Sequence, residues 1–238
     1  MRSLTSGPEV VAHRGASAHA PEHTLAAYDL ALEQGTDRLE LDVRATACGA
    51  LVVVHDPTLL RTAGVDARVD GVRLADVEPA ARPLTLDAVL ERYGARTRYL
   101  VELKDPEPSW AGAVAAAIDR HGLGDRCVAQ SFDVPALRRL RTEAPWLACA
   151  PLLAGRPLTG RRLDGLARWA SGIGVWHRLL TPRVVAAAHA RGLAVRGWTV
   201  NAPGEIGRLL ALGADGVITD VPGVAVALRR PADLPLAA

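Results

Sequence analysis

Cysteine is scarce in this chain of 238 residues: three occur, Cys48, Cys127 and Cys149, widely spaced and with no CxxC pair. An odd number at such spacing excludes a disulfide framework and a thiolate zinc site, leaving three ordinary small residues. Long apolar runs are missing as well. No stretch approaches the roughly 18 apolar residues of a membrane-spanning helix. The opening MRSLTSGPEV has no hydrophobic core of the kind a signal peptide needs. The expectation is a cytoplasmic protein with no stable membrane anchor. Charge of one sign is not in excess either: the formal net charge is +2 and the arginines are scattered. That excludes a nucleic-acid surface and a polybasic membrane patch. No linker-like shift in composition divides the chain, so residues 1–238 are expected to form one domain. Lysine is rare beside arginine, a bias that says little about mechanism by itself.

What is present is an alternation. Hydrophobic residues make up 49% and charged residues 23%, enough to bury a sizeable core. Eight short β-like runs recur: Glu9–His13, Arg38–Val43, Tyr99–Lys104, Cys127–Phe132, Ala148–Leu153, Gly172–Trp176, Ala194–Thr199 and Gly216–Thr219. Helical stretches separate them at Thr24–Gln34, Leu86–Tyr93, Trp110–Arg120, Val134–Glu143, Leu163–Ala170, Pro182–Arg191 and Glu205–Leu212. Thr24 is a candidate N-cap, and Gly192 and Gly213 mark helix ends. Strand and helix in turn predict parallel strands joined by right-handed crossovers. Eight such units fit a (β/α)8 TIM barrel, with a doubly wound open sheet as the alternative. One run, Leu51–His55, breaks the alternation. The segment Thr46–Ala50 is too short for a parallel crossover, so the run must return as a hairpin arm after strand 2, turning near Cys48-Gly49. That places His55 approximately opposite Asp42. Residues 57–83 then read as an irregular excursion.

Period-two alternation in Leu39-Glu40-Leu41-Asp42-Val43 puts both carboxylates on one face. In a barrel the apolar face meets the helices, so Glu40 and Asp42 point inward. Val101-Glu102-Leu103-Lys104 repeats the device. Three inward carboxylates raise one another's pKa unless cations neutralise them. Two readings remain open from spacing alone: ion pairs with Arg44, Lys104 or Arg14, or a site for a hard divalent cation such as Mg²⁺, Ca²⁺ or Mn²⁺. His13 ends the first strand and His55 the hairpin arm, which brings both to the rim where barrel active sites sit. Each alone reads as a packed histidine or a ligand; together they fit a general base and a general acid. Arg14 and Lys104 add positive charge suited to a phosphate group. Trp198, in RGWTVN, reads as a packed aromatic or as a surface for the carbon skeleton of a substrate. His19, His23, His121, His177 and His189 are scattered and read as non-catalytic, with His177 nearest to a strand end. GADG at Gly213 reads as a helix-to-strand turn.

The stretches VAHRGASAHAPEHTLAAYDLALEQG, LELDVRAT, LVVVHDPTLLRT, LVELK, QSFD, LAVRGWTVN and GADGVITDVP together resemble the glycerophosphodiester phosphodiesterase family over nearly the whole chain. The resemblance implies a TIM barrel that hydrolyses glycerophosphodiesters to glycerol 3-phosphate and an alcohol with one divalent cation. It implies His13 and His55 as the acid/base pair, and Glu40, Asp42 and Glu102 as metal ligands. Arg14 and Lys104 correspond to its phosphate contacts, and Trp198 to its aromatic against glycerol. It further implies attack by the substrate's own 2-hydroxyl, giving a cyclic phosphate that water opens. The chain departs from the family at Pro21-Glu22-His23-Thr24, where PENT is usual, and at Ala47-Cys48-Gly49, which lacks an acidic residue at the hairpin tip. Alternatives are lysophospholipase D-type activity, a non-catalytic metal-binding barrel, and a metal-dependent isomerase or aldolase. The last gives His13 and His55 no work, and the excursion is not conspicuously apolar.

Overall fold

A computed structural model describes residues 7–104 and 108–229. In chain order the strands are β1 (Glu9–Ala12), β2 (Arg38–Ala45), β3 (Leu51–Val53), β4 (Arg98–Leu103), β5 (Cys127–Ser131), β6 (Ala148–Leu153), β7 (Gly172–Trp176), β8 (Ala194–Trp198) and β9 (Gly216–Thr219). The helices are α1 (Leu25–Glu33), α2 (Leu60–Ala63), α3 (Leu86–Tyr93), α4 (Pro108–Arg120), α5 (Val134–Glu143), α6 (Gly160–Ala167), α7 (Pro182–His189), α8 (Pro203–Ala211) and α9 (Pro222–Arg229). Eight strands run parallel in the order β1-β9-β8-β7-β6-β5-β4-β2, and pairing of β1 with β2 closes the ring. Closure removes both sheet edges and with them the open-sheet alternative. The chain is a (β/α)8 barrel.

The threonines and aspartate ahead of the helices do local work. Thr24, Thr85, Asp133, Thr159 and Thr181 each accept a hydrogen bond from a backbone N–H in the first turn of the helix that follows. Each such cap is worth about 1 kcal/mol. Besides the single turn of α2 in the excursion, α9 lies beyond the expected set. Its PGVAVALR buries Pro222, Ala225 and Val226, a helical spacing hidden in a short run that is β-branched and glycine-containing.

Strand alternation sorts side chains into an outer shell and an inner column. Outward residues such as Leu39, Leu41, Val101 and Leu103 pack under the helices on one side, and Ile173, Val195 and Val217 on the other. Inside, Val11, Leu100, Val128, Ala150 and Ile218 form an apolar plug. On the N-terminal side of the plug, Arg38 and Arg196 grip Glu9 at 2.8–3.1 Å, and Arg98 Nη1 lies 2.8 Å from it. On the C-terminal side stand the inward carboxylates of β2 and β4.

The predicted hairpin forms with a shift of one residue. Val43 pairs with Val53, and the Val54 N–H donates to the Asp42 carbonyl at 2.9 Å, so Val54 rather than His55 stands opposite Asp42. The turn uses Gly49 at φ 79, a conformation open to glycine at little cost. Arg44, one of the partners expected for the carboxylates, instead donates through Nε and Nη2 to the His55 carbonyl at 2.9 and 2.8 Å. The excursion carries α2 and three single 3₁₀ turns over a small core of Val52, Val54, Leu59, Val69 and Val77.

Burial alone pushes the Glu9 carboxyl up, but Arg196 and Arg38 overcome it and hold the group at about 2 instead of 4.5. A carboxyl depressed on folding stabilises the native state above its unfolded pKa and loses that contribution as pH falls through the folded one. The shift corresponds to on the order of 3 kcal/mol. Unfolding free energy should therefore fall between pH 4.5 and 2, and Glu9→Gln, less stable throughout, should show a shallower fall in denaturant titrations. An equally steep fall in the variant would remove Glu9 as the source.

Candidate active site

The first residues past β1 take an unusual path. Arg14 and Gly15 adopt φ 58 and 87 in succession, turning the chain sharply at the barrel mouth. A Cβ on Gly15 would lie 2.7 Å from the Ala27 backbone carbon, so only glycine fits this approach of loop to α1. The turn aims the Arg14 N–H at Glu40 Oε2, 3.1 Å away, and brings Arg14 Nε to 2.9 Å from Asp42 Oδ2. The HRG triplet is thus a device for wrapping one backbone and one side-chain donor around buried acids.

Glu40, Asp42 and Glu102 are exposed by 1%, 0% and 6%, and one oxygen from each lies within 4.8 Å of the others. Parallel pairing sets Asp42 directly beside Glu102. Lys104 Nζ stands 2.5 Å from Glu102 Oε1 and 3.1 Å from Asp42 Oδ1. These are ion contacts without hydrogen-bond alignment, for Asp42 Oδ1, Glu102 Oε1 and Arg14 Nε are all buried with no hydrogen-bond partner among the described residues. Burial, then Asp42 and Glu102, push the Glu40 carboxyl well above the usual range. Burial and the Asp42 charge raise Glu102 to about 7. Burial would raise Asp42 too, yet His23, Lys104 and Arg14 hold it well below the usual range. Burial works against the Lys104 ammonium, and Asp42 and Glu102 outweigh it and raise its pKa. Hard oxygen donors converging with unfilled acceptor capacity are the chemistry that suits a divalent cation such as Mg²⁺, Ca²⁺ or Mn²⁺.

Both rim histidines have a carboxylate on Nδ1. His13 Nδ1 is 2.6 Å from Asp220 Oδ1, and Asp220 also accepts from Ser17 Oγ and from Asn201 Nδ2. His55 Nδ1 is 2.7 Å from Asp56 Oδ1, and Arg61 Nε donates to Asp56 Oδ2 at 2.6 Å. Arg61 also forks onto both oxygens of Glu22 at 2.8 Å, and Glu22 in turn accepts from Arg14. Burial lowers the His55 pKa against the pull of Asp56. With Nδ1 occupied in both rings, Nε2 is the atom left to exchange a proton.

A cavity of about 200 Å³ joins these parts, lined by His13, Arg14, Glu40, His55, Glu102 and Lys104 together with Gln130, Phe132, Leu152, Trp198, Thr199 and Ile218. Trp198 meets the exposed Phe132 edge-on at 5.3 Å, and its buried Nε1 has no partner. Seven of the eight residues singled out from the sequence line this cavity, and Asp42 touches Arg14 and Lys104 of its lining. Of the other histidines, His121, His177 and His189 pair with Asp87, Glu205 and Asp215 away from it, and His19 is exposed. His23 is different: it is buried against Asp42.

Sequence reasoning passed over Asp56, Asp220, Arg61, Gln130 and Phe132. Two signals were available. Asp56 follows His55 directly, and Asp220 follows β9 at the same rim as His13.

Comparison with known proteins agrees in one direction. The model of the glycerophosphoryl diester phosphodiesterase family matches residues 13–224. A putative glycerophosphodiester phosphodiesterase of Bacillus subtilis is 32% identical over 90% of this chain and 94% of its own. A probable glycerophosphodiester phosphodiesterase of Mycobacterium tuberculosis is 35% identical over 92% of each. Among solved structures, a glycerophosphodiester phosphodiesterase from Agrobacterium tumefaciens superposes with a TM-score of 0.82 at 29% identity, covering 93% of this chain and 99% of that one. An Oleispira antarctica phosphodiesterase in complex with the product sn-glycerol-3-phosphate gives 0.83 at 27% identity, covering 93% and 96%.

The carboxylates around Lys104 make its amine hard to deprotonate. In EDTA at mildly alkaline pH, acylation of Lys104 should run well below the rate of a free lysine side chain, and Glu102→Gln should accelerate it. Peptide mass spectrometry reads both rates. No acceleration would mean that Glu102 does not hold the ammonium charge.

Proposed function

The chain belongs to the glycerophosphoryl diester phosphodiesterase family, and from that premise we propose how its residues divide the work. It is a phosphoric diester hydrolase that cleaves glycerophosphodiesters to glycerol 3-phosphate and an alcohol. The observation that carries the residue assignment is the convergence, on one small cavity, of three buried carboxylates, two cations and two carboxylate-oriented histidines.

Glu40, Asp42 and Glu102 are assigned as ligands of one divalent cation, Mg²⁺ or Ca²⁺ with Mn²⁺ as a substitute. When bound, such an ion supplies Lewis-acid polarisation of the phosphate and favours the ionised form of an oxygen nucleophile. Arg14 and Lys104 bind the phosphate oxygens and offset the charge that builds as phosphorus becomes five-coordinate. His13 and His55 move the protons at Nε2: one takes the nucleophile's proton, and the other delivers a proton to the leaving alcohol. Asp220 and Asp56 fix each ring so that its Nε2 faces the cavity. Trp198 and Phe132 give the apolar carbons of glycerol a wall, and Gln130, whose Nε2 is 3.4 Å from Glu40 Oε1, steadies that carboxylate. The nucleophile in the first step is the substrate's own 2-hydroxyl, and water opens the resulting cyclic phosphate.

Action in the cytoplasm is part of the same proposal. Three free thiols, one of them exposed, suit a reducing compartment, and among the described residues no helix is long and apolar enough to cross a membrane. A second reading, hydrolysis of lysophospholipids, draws support from a separate cavity of about 500 Å³ between the loop at Pro21–Leu25 and the excursion. Leu25, Val54, Leu59, Ala63, Pro83 and Leu84 give it an apolar side, and Glu22, Arg61 and Arg82 a charged one.

Acid/base help is worth roughly two to four orders of magnitude in rate. His13→Ala and His55→Ala should each lower kcat by that much while melting near the wild-type temperature. Wild-type rates in either variant would remove that histidine from the mechanism. After chelation, glycerophosphodiesters and lysophospholipids should be assayed side by side with Mg²⁺, Ca²⁺ and Mn²⁺. Turnover should vanish in EDTA and return with at least one ion, and glycerophosphodiesters should be the better substrates. Undiminished turnover in EDTA would overturn the ligand assignment.

A further inference from the structure

His23 is buried, whereas every other described histidine is at least partly open to solvent. Its backbone holds φ 55, a left-handed conformation that a non-glycine residue keeps only where its surroundings enforce it. Two ring contacts do so. Nε2 lies 3.0 Å from Asp42 Oδ2, and Nδ1 lies 2.8 Å from the Tyr28 hydroxyl.

An ionised carboxylate only accepts, so the ring N–H on Nε2 donates to Asp42. Nδ1, on the other side of the ring, lies against the hydroxyl of the fully buried Tyr28. The relay runs from Tyr28 through the imidazole to Asp42. The Nε2 donor orients a carboxylate that Arg14 and Lys104 also touch. It also engages Oδ2 and leaves Oδ1, on the side of Lys104, without a hydrogen bond.

We infer that His23, held in place by Tyr28, is a positioning residue that sets the Asp42 carboxylate for cation binding. The inference rests on the reading of Glu40, Asp42 and Glu102 as cation ligands, and it adds two residues, His23 and Tyr28, to the parts that determine affinity for the ion.

Calorimetric titration of chelator-stripped protein with Mg²⁺ and Mn²⁺ tests it. Loss of a partner behind a metal ligand weakens affinity about 10–100-fold, so His23→Ala should raise the Kd by at least about tenfold. His23→Gly relaxes the left-handed backbone but restores no donor, and it should be equally defective. Tyr28→Phe removes one hydroxyl and should weaken binding in the same direction. Combined with His23→Ala it should add nothing, because the two act through one relay. Half-activating cation concentration should rise with the Kd while kcat at saturating cation changes far less. Wild-type affinity in His23→Gly would overturn the inference and leave backbone strain as the role of this position. Should the His23 variants fail to fold, as judged by circular dichroism and melting, wild-type affinity in Tyr28→Phe would overturn it instead. Glu40→Gln, titrated in parallel, separates the two levels. If it binds as wild type does, the ligand reading fails and takes the inference with it; if it is weakened while the His23 variants are not, only the inference fails.

Discussion

Three carboxylates within 4.8 Å of one another, nearly sealed from water, are the constraint around which the mouth of this barrel is organised. Left alone they could not all ionise, because burial and mutual repulsion both disfavour the charged forms. The structure answers with cations and donors brought from different elements: Lys104 from the end of β4, Arg14 from the turn after β1, and His23 from the loop before α1. The answer is uneven. Asp42, touched by all three, is held ionised, while Glu40 and Glu102 are driven toward the neutral form. Oxygens that lie close to cations yet lack aligned hydrogen bonds retain the capacity to bind an ion and a phosphate between them.

Much of the surrounding architecture follows from that need. Arg14 can reach Asp42 and Glu40 only because the chain turns left-handed twice, and Gly15 permits the second turn against Ala27. Arg44 anchors the hairpin through the His55 carbonyl, which keeps the second histidine at the rim. Arg61 then joins Asp56 to Glu22, so the excursion is tied to the loop that carries His23. At the opposite end of the interior column, one glutamate held by three arginines occupies the space below the apolar plug. The two ion clusters are separated by Val11, Leu100, Val128, Ala150 and Ile218, which let strands with charged inner faces still form a packed barrel.

The barrel and most of the site were legible because their signals are local. Period two in LELDV and LVELK sends Glu40, Asp42, Glu102 and Lys104 inward whatever the rest of the chain does. The seven residues between Val43 and Leu51 allow a hairpin and no crossover. What escaped were partnerships across long separations. Asp220 is 207 positions from His13, and nothing near either residue announces the pair. From the sequence His23 reads both as a scattered, non-catalytic histidine and as a departure from the family's PENT; its bond to Asp42, across a loop, a helix and half a strand, is not visible there. The single-residue offset of the hairpin arises in the Gly49 turn, whose geometry depends on hydrogen bonds that spacing does not reveal.

By itself the sequence determined the alternation of strand and helix, the inward face of each strand and the family motifs, because backbone periodicity and short-range sterics act between neighbours. Only the tertiary structure decided which acids are pushed toward or away from the charged form, which ring nitrogen of each rim histidine is engaged, and what His23 touches. Those properties depend on burial and, for His13 and His23, on partners brought within about 3 Å from distant parts of the chain, and neither is a property of any local stretch.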